Sequence, residues 1–219
     1  MRRSAKLLGL HRTTVARKLK FLASRARLEQ QARLDAWTKS PFHDVQFDEL
    51  ETLEHTKCKP LSVGLVVDQK KRKILGHQVS QMPAKGRLAK KALKKYGYRP
   101  DHRAQGLEQL FERVSKAIHP EALITSDECP RYPRVVKRRF PQANHKTVKG
   151  QRGCIVGQGE LKKIGFDPLF SLNHTCAMLR ANINRLFRRT WCTTKNPSAL
   201  SDHISLYVNY HNRLLTDLV

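Results

Sequence analysis

The sequence predicts an α/β protein in which a mixed β-sheet is flanked by helices and preceded by a small basic helical unit. Runs rich in β-branched residues open the main part of the chain, and strand-like and helix-like patterns then alternate. Such alternation is typical of a layered α/β or α+β domain. Ahead of it, residues 1–27 contain nine Lys/Arg and no acidic residue in a helix-favouring stretch.

Length and charge narrow the class of protein. A chain of 219 residues can form one well-cored domain with a small appendage. Its longest apolar runs, such as 63–67, are too short to cross a bilayer, and no signal-peptide core follows the first methionine, so we expect a cytoplasmic protein without a membrane partner. With 43 Lys+Arg against 18 Asp+Glu the net charge is +25. Nucleic acid is the usual partner for such an excess, and an RNA-associated basic protein is one alternative.

Residues 4–19 have the pattern of a helix-turn-helix. Ala5 is small enough for two helices to cross closely, and Gly9 can adopt the positive φ that the turn requires. Thr13 or Arg12 can cap the second helix. The apolar residues expected to form a shared core are Leu8, Leu10, Val15 and Leu19.

The second helix of this unit is expected to read DNA in the major groove. Its outward residues that suit phosphates and base edges are Arg12, Thr13, Thr14, Arg17 and Lys18. A third helix ahead of Ser4 would be needed to complete a trihelical unit. The unit, assigned to residues 1–27, is therefore either truncated at its N-terminus or an ordinary pair of basic amphipathic helices. Residues 28–40 are expected to form a linker.

The strands that follow are indicated by β-branched residues and by turn signals such as Asp68-Gln69-Lys70. They are Val45–Leu53, Leu61–Val67, Lys73–Gln81, Ala122–Ser126 and His145–Val148. The helices are indicated by apolar residues at three- and four-residue spacing and by stop signals such as Gly97. They are Lys85–Lys95, Gly106–Ile118, Val135–Phe140, Leu169–Arg189 and Pro197–Asn212. A glycine-rich connection is expected over Gly150–Gly165.

Two aspartates stand at strand positions where a carboxylate is costly. Asp48 lies inside the first strand, and Asp127 ends the buried fourth strand. A buried carboxylate is unfavourable unless it is paired or binds a cation. Two converging carboxylates can hold Mg²⁺ or Mn²⁺ for phosphoryl transfer. Taken singly, each aspartate is better explained as a helix cap or a surface residue, and the pair alone does not overturn that explanation.

Three segments together resemble a known family: residues 47–50 (FDEL), 125–132 (TSDECPRY) and 179–190 (LRANINRLFRRT). In order and spacing they are similar to bacterial insertion-sequence transposases of the RNase H-like DDE class, most closely to the insertion-sequence-one family. The resemblance implies an RNase H-like catalytic domain over residues 41–212, followed by a tail at 213–219.

The same resemblance implies a function. It implies a nucleoid-associated transposase that binds the terminal inverted repeats of its element and catalyses metal-dependent DNA strand cleavage and strand transfer. The implied partner is double-stranded DNA, both the element ends and the target. The implied protein acts as a homo-oligomer on that DNA.

The resemblance assigns the catalytic residues and Mg²⁺ (or Mn²⁺) ligands to Asp48, Asp127 and a third position on the long C-terminal helix. Seven residues before Arg180, where the family has a catalytic glutamate, this chain has Asn173. An asparagine offers a metal its carbonyl oxygen, but it has no charge and cannot act as a base. The acids that would replace it in a shifted register are Glu160 and Asp167. The chain is thus either an active variant or a catalytically decayed transposase that acts only as a DNA-binding regulator.

A basic group follows on the same segment. No acidic residue occurs between Pro168 and Ser201. The cations expected to line a DNA-binding edge beside the site are Arg180, Arg185, Arg188 and Arg189. The alternative is a solvated basic face.

Overall fold

Five strands form one mixed sheet at the centre of the part of the chain that the computed structural model describes, residues 2–149, 167–186 and 193–215. The strands are β1 (Phe42–Leu53), β2 (Pro60–Asp68), β3 (Ile74–Gln81), β4 (Ile118–Asp127) and β5 (Asn144–Val148). Their order across the sheet is β3-β2-β1-β4-β5, with β1, β2 and β3 antiparallel and β4 and β5 added in parallel. The predicted α/β class is confirmed, and the arrangement is compatible with an RNase H-like fold.

Helices cover both faces of this sheet. They are α1 (Arg2–Leu7), α2 (Arg12–Trp37), α3 (Leu88–Tyr96), α4 (Arg103–Val114), α5 (Tyr132–Arg139), α6 (Phe170–Asn182) and α7 (Pro197–Tyr210). One core, around Phe47 and Phe111, lies between the sheet and α2, α4 and α5. The other, around Leu65 and Leu172, lies under α6 and α7. None of the helices in the described ranges combines the length and apolarity needed to span a membrane.

The segment 28–40 differs from the expected linker, because most of it continues α2 without a break. The C-terminal half of α2 packs along α7, where Arg27 donates to Asp202 (2.7 Å) and Arg33 donates to Asn209 (2.6 Å). Leu34 enters the core of the sheet. The helix is therefore an integral part of the larger unit rather than a tether to it.

α6 ends earlier than the predicted helix Leu169–Arg189. The chain leaves the helix at Ile183, which has extended backbone (φ −112°, ψ 97°), and makes one 3-10 turn at Asn184–Leu186. Asparagines flank the break, and Asn182 donates its side-chain amide to a carbonyl of the preceding turn (2.8 Å). Asparagine competes for backbone hydrogen bonds and so favours helix ends. The connection predicted at Gly150–Gly165 lies outside the described residues.

α1 and α2 enclose little apolar core of their own. The turn between them has Gly9 at φ +61°, as the sequence predicts, and Ala5 is buried. Leu8 (66% exposed) and Leu10 (47% exposed) face solvent, so the shared core predicted for them is wrong. The other two predicted members are half-buried: Val15 and Leu19. A six-residue helix is too short to cover the apolar side of its neighbour.

Candidate functional site

Asp48 and Asp127 lie side by side on neighbouring parallel strands. Gln46 and Thr125 are the last pair in the register of β1 and β4, and Asp48 and Asp127 each follow two residues later. Asp127 is close enough for its charge to raise the pKa of Asp48. Since successive side chains alternate between the faces of a sheet, both aspartates share the face of Gln46, opposite to Phe47. This is the face that α6 covers. The structure thus brings together the two carboxylates that the sequence singles out.

Asp48 occupies a poorly solvated position. Burial raises the pKa of its carboxyl group to about 6, and the negative charges of Asp127 and Glu49 act in the same direction. Two hydrogen bonds to Oδ1 oppose this rise, one from the backbone amide of Glu49 (2.6 Å) and one from the Tyr132 hydroxyl (2.9 Å). Neighbouring carboxylates that repel each other form a setting in which a cation is stabilised.

Glu49, on the opposite face of β1, is compensated differently. Its carboxylate pairs with the guanidinium of Arg131 and accepts hydrogen bonds from the hydroxyls of Ser62 (2.6 Å) and Tyr132 (3.3 Å). Asp48, in contrast, makes no ion pair within the described ranges. Burial and both acids raise the pKa of Tyr132 above its usual range, so its hydroxyl remains a hydrogen-bond donor. Of these partners, sequence reasoning missed Arg131 and Ser62, which meet Glu49 only in the fold.

α6 is fastened to β1 beside Asp48. The Gln46 side chain donates to the carbonyl of Pro168 (2.8 Å) and accepts from the amide of Leu172 (3.1 Å). One turn further, Cys176 comes within electrostatic reach of Asp48. Burial, with the charge of Asp48, raises the pKa of the Cys176 thiol to about 12. The thiol therefore stays protonated, and a single cysteine on a helix carries no sequence signal for this position.

Asn173 lies exposed near the start of α6, beside Asp167. Its amide donates to Asp167 Oδ2 (2.9 Å), while Asp167 Oδ1 accepts from the backbone amide two residues further on (2.9 Å). The third predicted ligand and one of its predicted substitutes are therefore neighbours. Glu160 lies outside the described residues. Within the ranges that are described, no three or more His, Cys, Asp or Glu side chains form a group that could hold a metal ion.

The raised pKa of Asp48 predicts a pH-dependent stability. Because the folded carboxyl group binds its proton more tightly than the unfolded one, the contribution of Asp48 to the free energy of unfolding is largest below about pH 4 and is lost as the pH rises through about 6. In metal-free buffer at about pH 8, Asp48→Asn is expected to be more stable than the wild type by up to about 3 kcal/mol. The difference should vanish near pH 4. Urea unfolding at both pH values measures it, and a gap independent of pH would contradict the burial of this charge.

The residues predicted to contact DNA on α2 are all exposed. They are Arg12, Thr13, Thr14, Arg17 and Lys18. The contacts of Arg27 with Asp202 and of Arg33 with Asn209 show that α2 and α7 run parallel. Since α7 begins at Pro197, about ten residues at the start of α2 extend beyond it. The N-cap differs from the predicted Thr13 or Arg12: the ring of His11 accepts from the amide of Thr13 (3.5 Å).

The predicted basic edge is divided between two places. Arg180 is half-buried on α6, and its positive charge lowers the pKa of Cys176, against the effect of burial. Arg185 lies in the 3-10 turn after α6 and lines a cleft with Lys195 and His203. Of these two arginines, Arg180 is the one that lies near Cys176, which is itself near Asp48. The other two predicted cations lie outside the described residues: Arg188 and Arg189.

Comparison with known proteins adds no family to these observations. No family model, curated protein or solved structure matches this chain.

Proposed function

We propose that the protein is an insertion-sequence transposase in which Asp48 and Asp127 bind Mg²⁺ or Mn²⁺ for DNA strand cleavage and strand transfer. The observation that carries this proposal is the contrast between Asp48 and Glu49. The chain has 43 Lys+Arg, and it compensates buried Glu49 with Arg131. Asp48 faces Asp127 and makes no ion pair in the described part of the chain. A poorly solvated carboxylate with a perturbed pKa and no cation of its own is a candidate metal ligand.

Each residue of the site has a role in this mechanism. Asp48 and Asp127 would hold the ion, and Tyr132 keeps Asp48 in place by donating to Oδ1. Asn173, with Asp167 beside it, stands at the predicted third position. A divalent ion held there would supply the positive charge that activates a water or a 3′-hydroxyl and stabilises the leaving oxygen. Element ends and target meet at this centre on a homo-oligomer.

The first turns of α2 are the proposed reader of the terminal inverted repeats. Changing Arg17 and Lys18 to Ala is expected to weaken binding to the element ends by at least tenfold, because both residues are exposed and suited to phosphates and base edges. Fluorescence anisotropy with an end-sequence duplex measures the loss. Thermal melting should be nearly unchanged, because both side chains are exposed and the one ring contact, of Lys18 with exposed Phe21, lies at the surface. An equal drop in melting temperature would show that this segment supports the fold instead of reading DNA.

One observation favours a second function. Asn173 stands where the resemblance expects a glutamate, and it can neither carry the charge nor accept the proton. A protein with this change that binds the element ends without cutting them would be a regulator of transposition. Divalent-metal-dependent cleavage separates the two functions, whereas DNA binding is common to both.

The deciding experiment uses the wild-type chain and DNA carrying the flanks of its own gene. With Mg²⁺ or Mn²⁺, we expect strand breaks at the element ends that expose 3′-hydroxyls, and none with EDTA. If the flanks are bound but remain uncut with either ion, the regulatory function replaces the catalytic one.

A further inference from the structure

The strongly basic helix α3 follows the antiparallel strands β1, β2 and β3 and contributes no residue to the site described above. Between Met82 and Pro100 the chain has seven Lys/Arg and no acidic residue. The exposed ones are Lys85, Arg87, Lys90, Lys91, Lys94 and Lys95. Helix α3 carries four of these six.

α3 presents its charge to solvent on one side. Leu88, Ala92 and Tyr96 recur every four residues and are half-buried or buried, which defines the inner side of the helix. The four lysines lie on the other side as two pairs, Lys90-Lys91 and Lys94-Lys95, one helical turn apart. The outward residues include no amide and no hydroxyl. This surface can attract an anion but cannot read a base edge.

Ion pairs and ring contacts anchor both ends of α3 near the end of β1. Lys85 lies 2.7 Å from Glu51, Arg99 lies 3.2 Å from Glu54, and the Tyr96 ring meets the His55 ring edge-on at 6.3 Å. Glu51 and Glu54 follow Asp48 by three and six residues along β1 and its end. At about 3.3 Å per residue, these two acids lie roughly 10 and 20 Å along the chain from Asp48, and Glu51 is on the opposite face of the strand from Asp48.

The remaining cations of this surface have no carboxylate partner in the described ranges. Arg87 and the four lysines of α3 make no ion pair there, and Lys95 contacts only the ring of Tyr96 (5.4 Å), so a bound anion would relieve their mutual repulsion. A nine-residue helix is about 13.5 Å long. Duplex DNA carries about eight phosphate charges over that length of its axis. Lysine binds phosphate as a point charge and without sequence preference.

We propose that α3 binds the phosphate backbone of target DNA and holds the duplex, whatever its sequence, beside the Asp48–Asp127 pair. The name "target" rests on the proposed transposase function, whereas sequence-independent duplex binding by α3 does not. The division of labour follows from the side chains. The start of α2 has threonines among its exposed cations and suits a defined sequence, while α3 offers only charge.

The test compares two variants of equal charge. One is Lys90→Gln/Lys91→Gln/Lys94→Gln on α3. The matched control is Lys39→Gln/Lys116→Gln/Lys137→Gln, three exposed lysines outside α3. Each is titrated with a duplex of unrelated sequence at several salt concentrations. For the α3 variant, we expect the slope of log K against log salt to shrink by roughly 2–3, since each phosphate contact contributes about 0.9. The control should keep a slope close to that of the wild type.

Two outcomes would overturn the proposal: an unchanged slope in the α3 variant, or an equal reduction in both variants, which would report net charge alone. Lys90→Arg/Lys91→Arg/Lys94→Arg keeps the charge and should bind like the wild type, and circular dichroism checks that all variants are folded. In the strand-transfer reaction the α3 variant should cut element ends normally and join them to target poorly. A wild type that never cuts would overturn the transposase function, and the binding comparison would still decide the role of α3.

Discussion

Replacing either Asp48 or Asp127 with asparagine is expected to reduce Mg²⁺-dependent strand transfer by roughly 10³-fold or more. The substitution keeps the size of the side chain and removes the charge that binds the ion. Metal-ion stabilisation is worth several kcal/mol, and each 1.36 kcal/mol is about tenfold in rate. Joining of a labelled element end to a plasmid measures the effect. Asp44→Asn is the matched control, because Asp44 is also on β1, is half-buried and pairs with exposed Lys70. Its activity should equal that of the wild type.

The third ligand is tested in the same assay. Asn173→Glu should raise the rate if this position is the family's third acid, and Asn173→Ala should lower it if the amide oxygen serves. Activity that survives both changes but is lost in Asp167→Asn would assign the role to Asp167, which already contacts Asn173. Substitutions at Asp48 and Asp127 that leave strand transfer intact would contradict the metal centre altogether.

Phe47→Ala is expected to destabilise the protein by about 3–5 kcal/mol. Phe47 is completely buried, and its ring lies 4.9 Å from that of Phe111 and 4.7 Å from that of Tyr132. The truncation removes these contacts and leaves a cavity beside the ring of Tyr132, whose hydroxyl donates to Asp48. Urea unfolding measures the loss. Phe170→Ala is the control, since Phe170 is 58% exposed and should change stability by less than about 0.5 kcal/mol. A loss below about 1 kcal/mol at Phe47 would contradict the packing.

The strands and the carboxylate pair could be predicted because their signals are local. β-branched runs mark β1, β2 and β3 within three residues of their observed ends, and an acid inside or at the end of such a run is conspicuous. The predicted start of β4, at Ala122, lies four residues after the observed start, because Pro120 and Glu121 interrupt the strand pattern. The convergence of Asp48 and Asp127 depends only on their being on adjacent strands in a common register.

The rest depends on contacts between distant parts of the chain. Helix α2 continues through residues 28–37, but its buried residues are few: Ala23, Ala26 and Leu34. Its sequence therefore has little apolar periodicity from which this part of the helix could be predicted. The pairing of Glu49 with Arg131 joins residues 82 positions apart. The position of Cys176 beside Asp48 follows from the two hydrogen bonds of Gln46, which no spacing rule anticipates.

Because α2 is one unbroken helix, it fixes the distance between its first turns and the body of the protein. At about 1.5 Å per residue its 26 residues form a rod of about 39 Å, and the half that includes Leu34 is fixed in the body of the protein. In the proposed function, DNA bound by its first turns would be held at a constant distance and angle from Asp48 and Asp127. The length of the helix would then set the number of base pairs between the recognised sequence and the cut bond. Inserting one residue between the first turns and the fixed half would rotate the proposed reading surface by about 100° relative to Asp48 and Asp127.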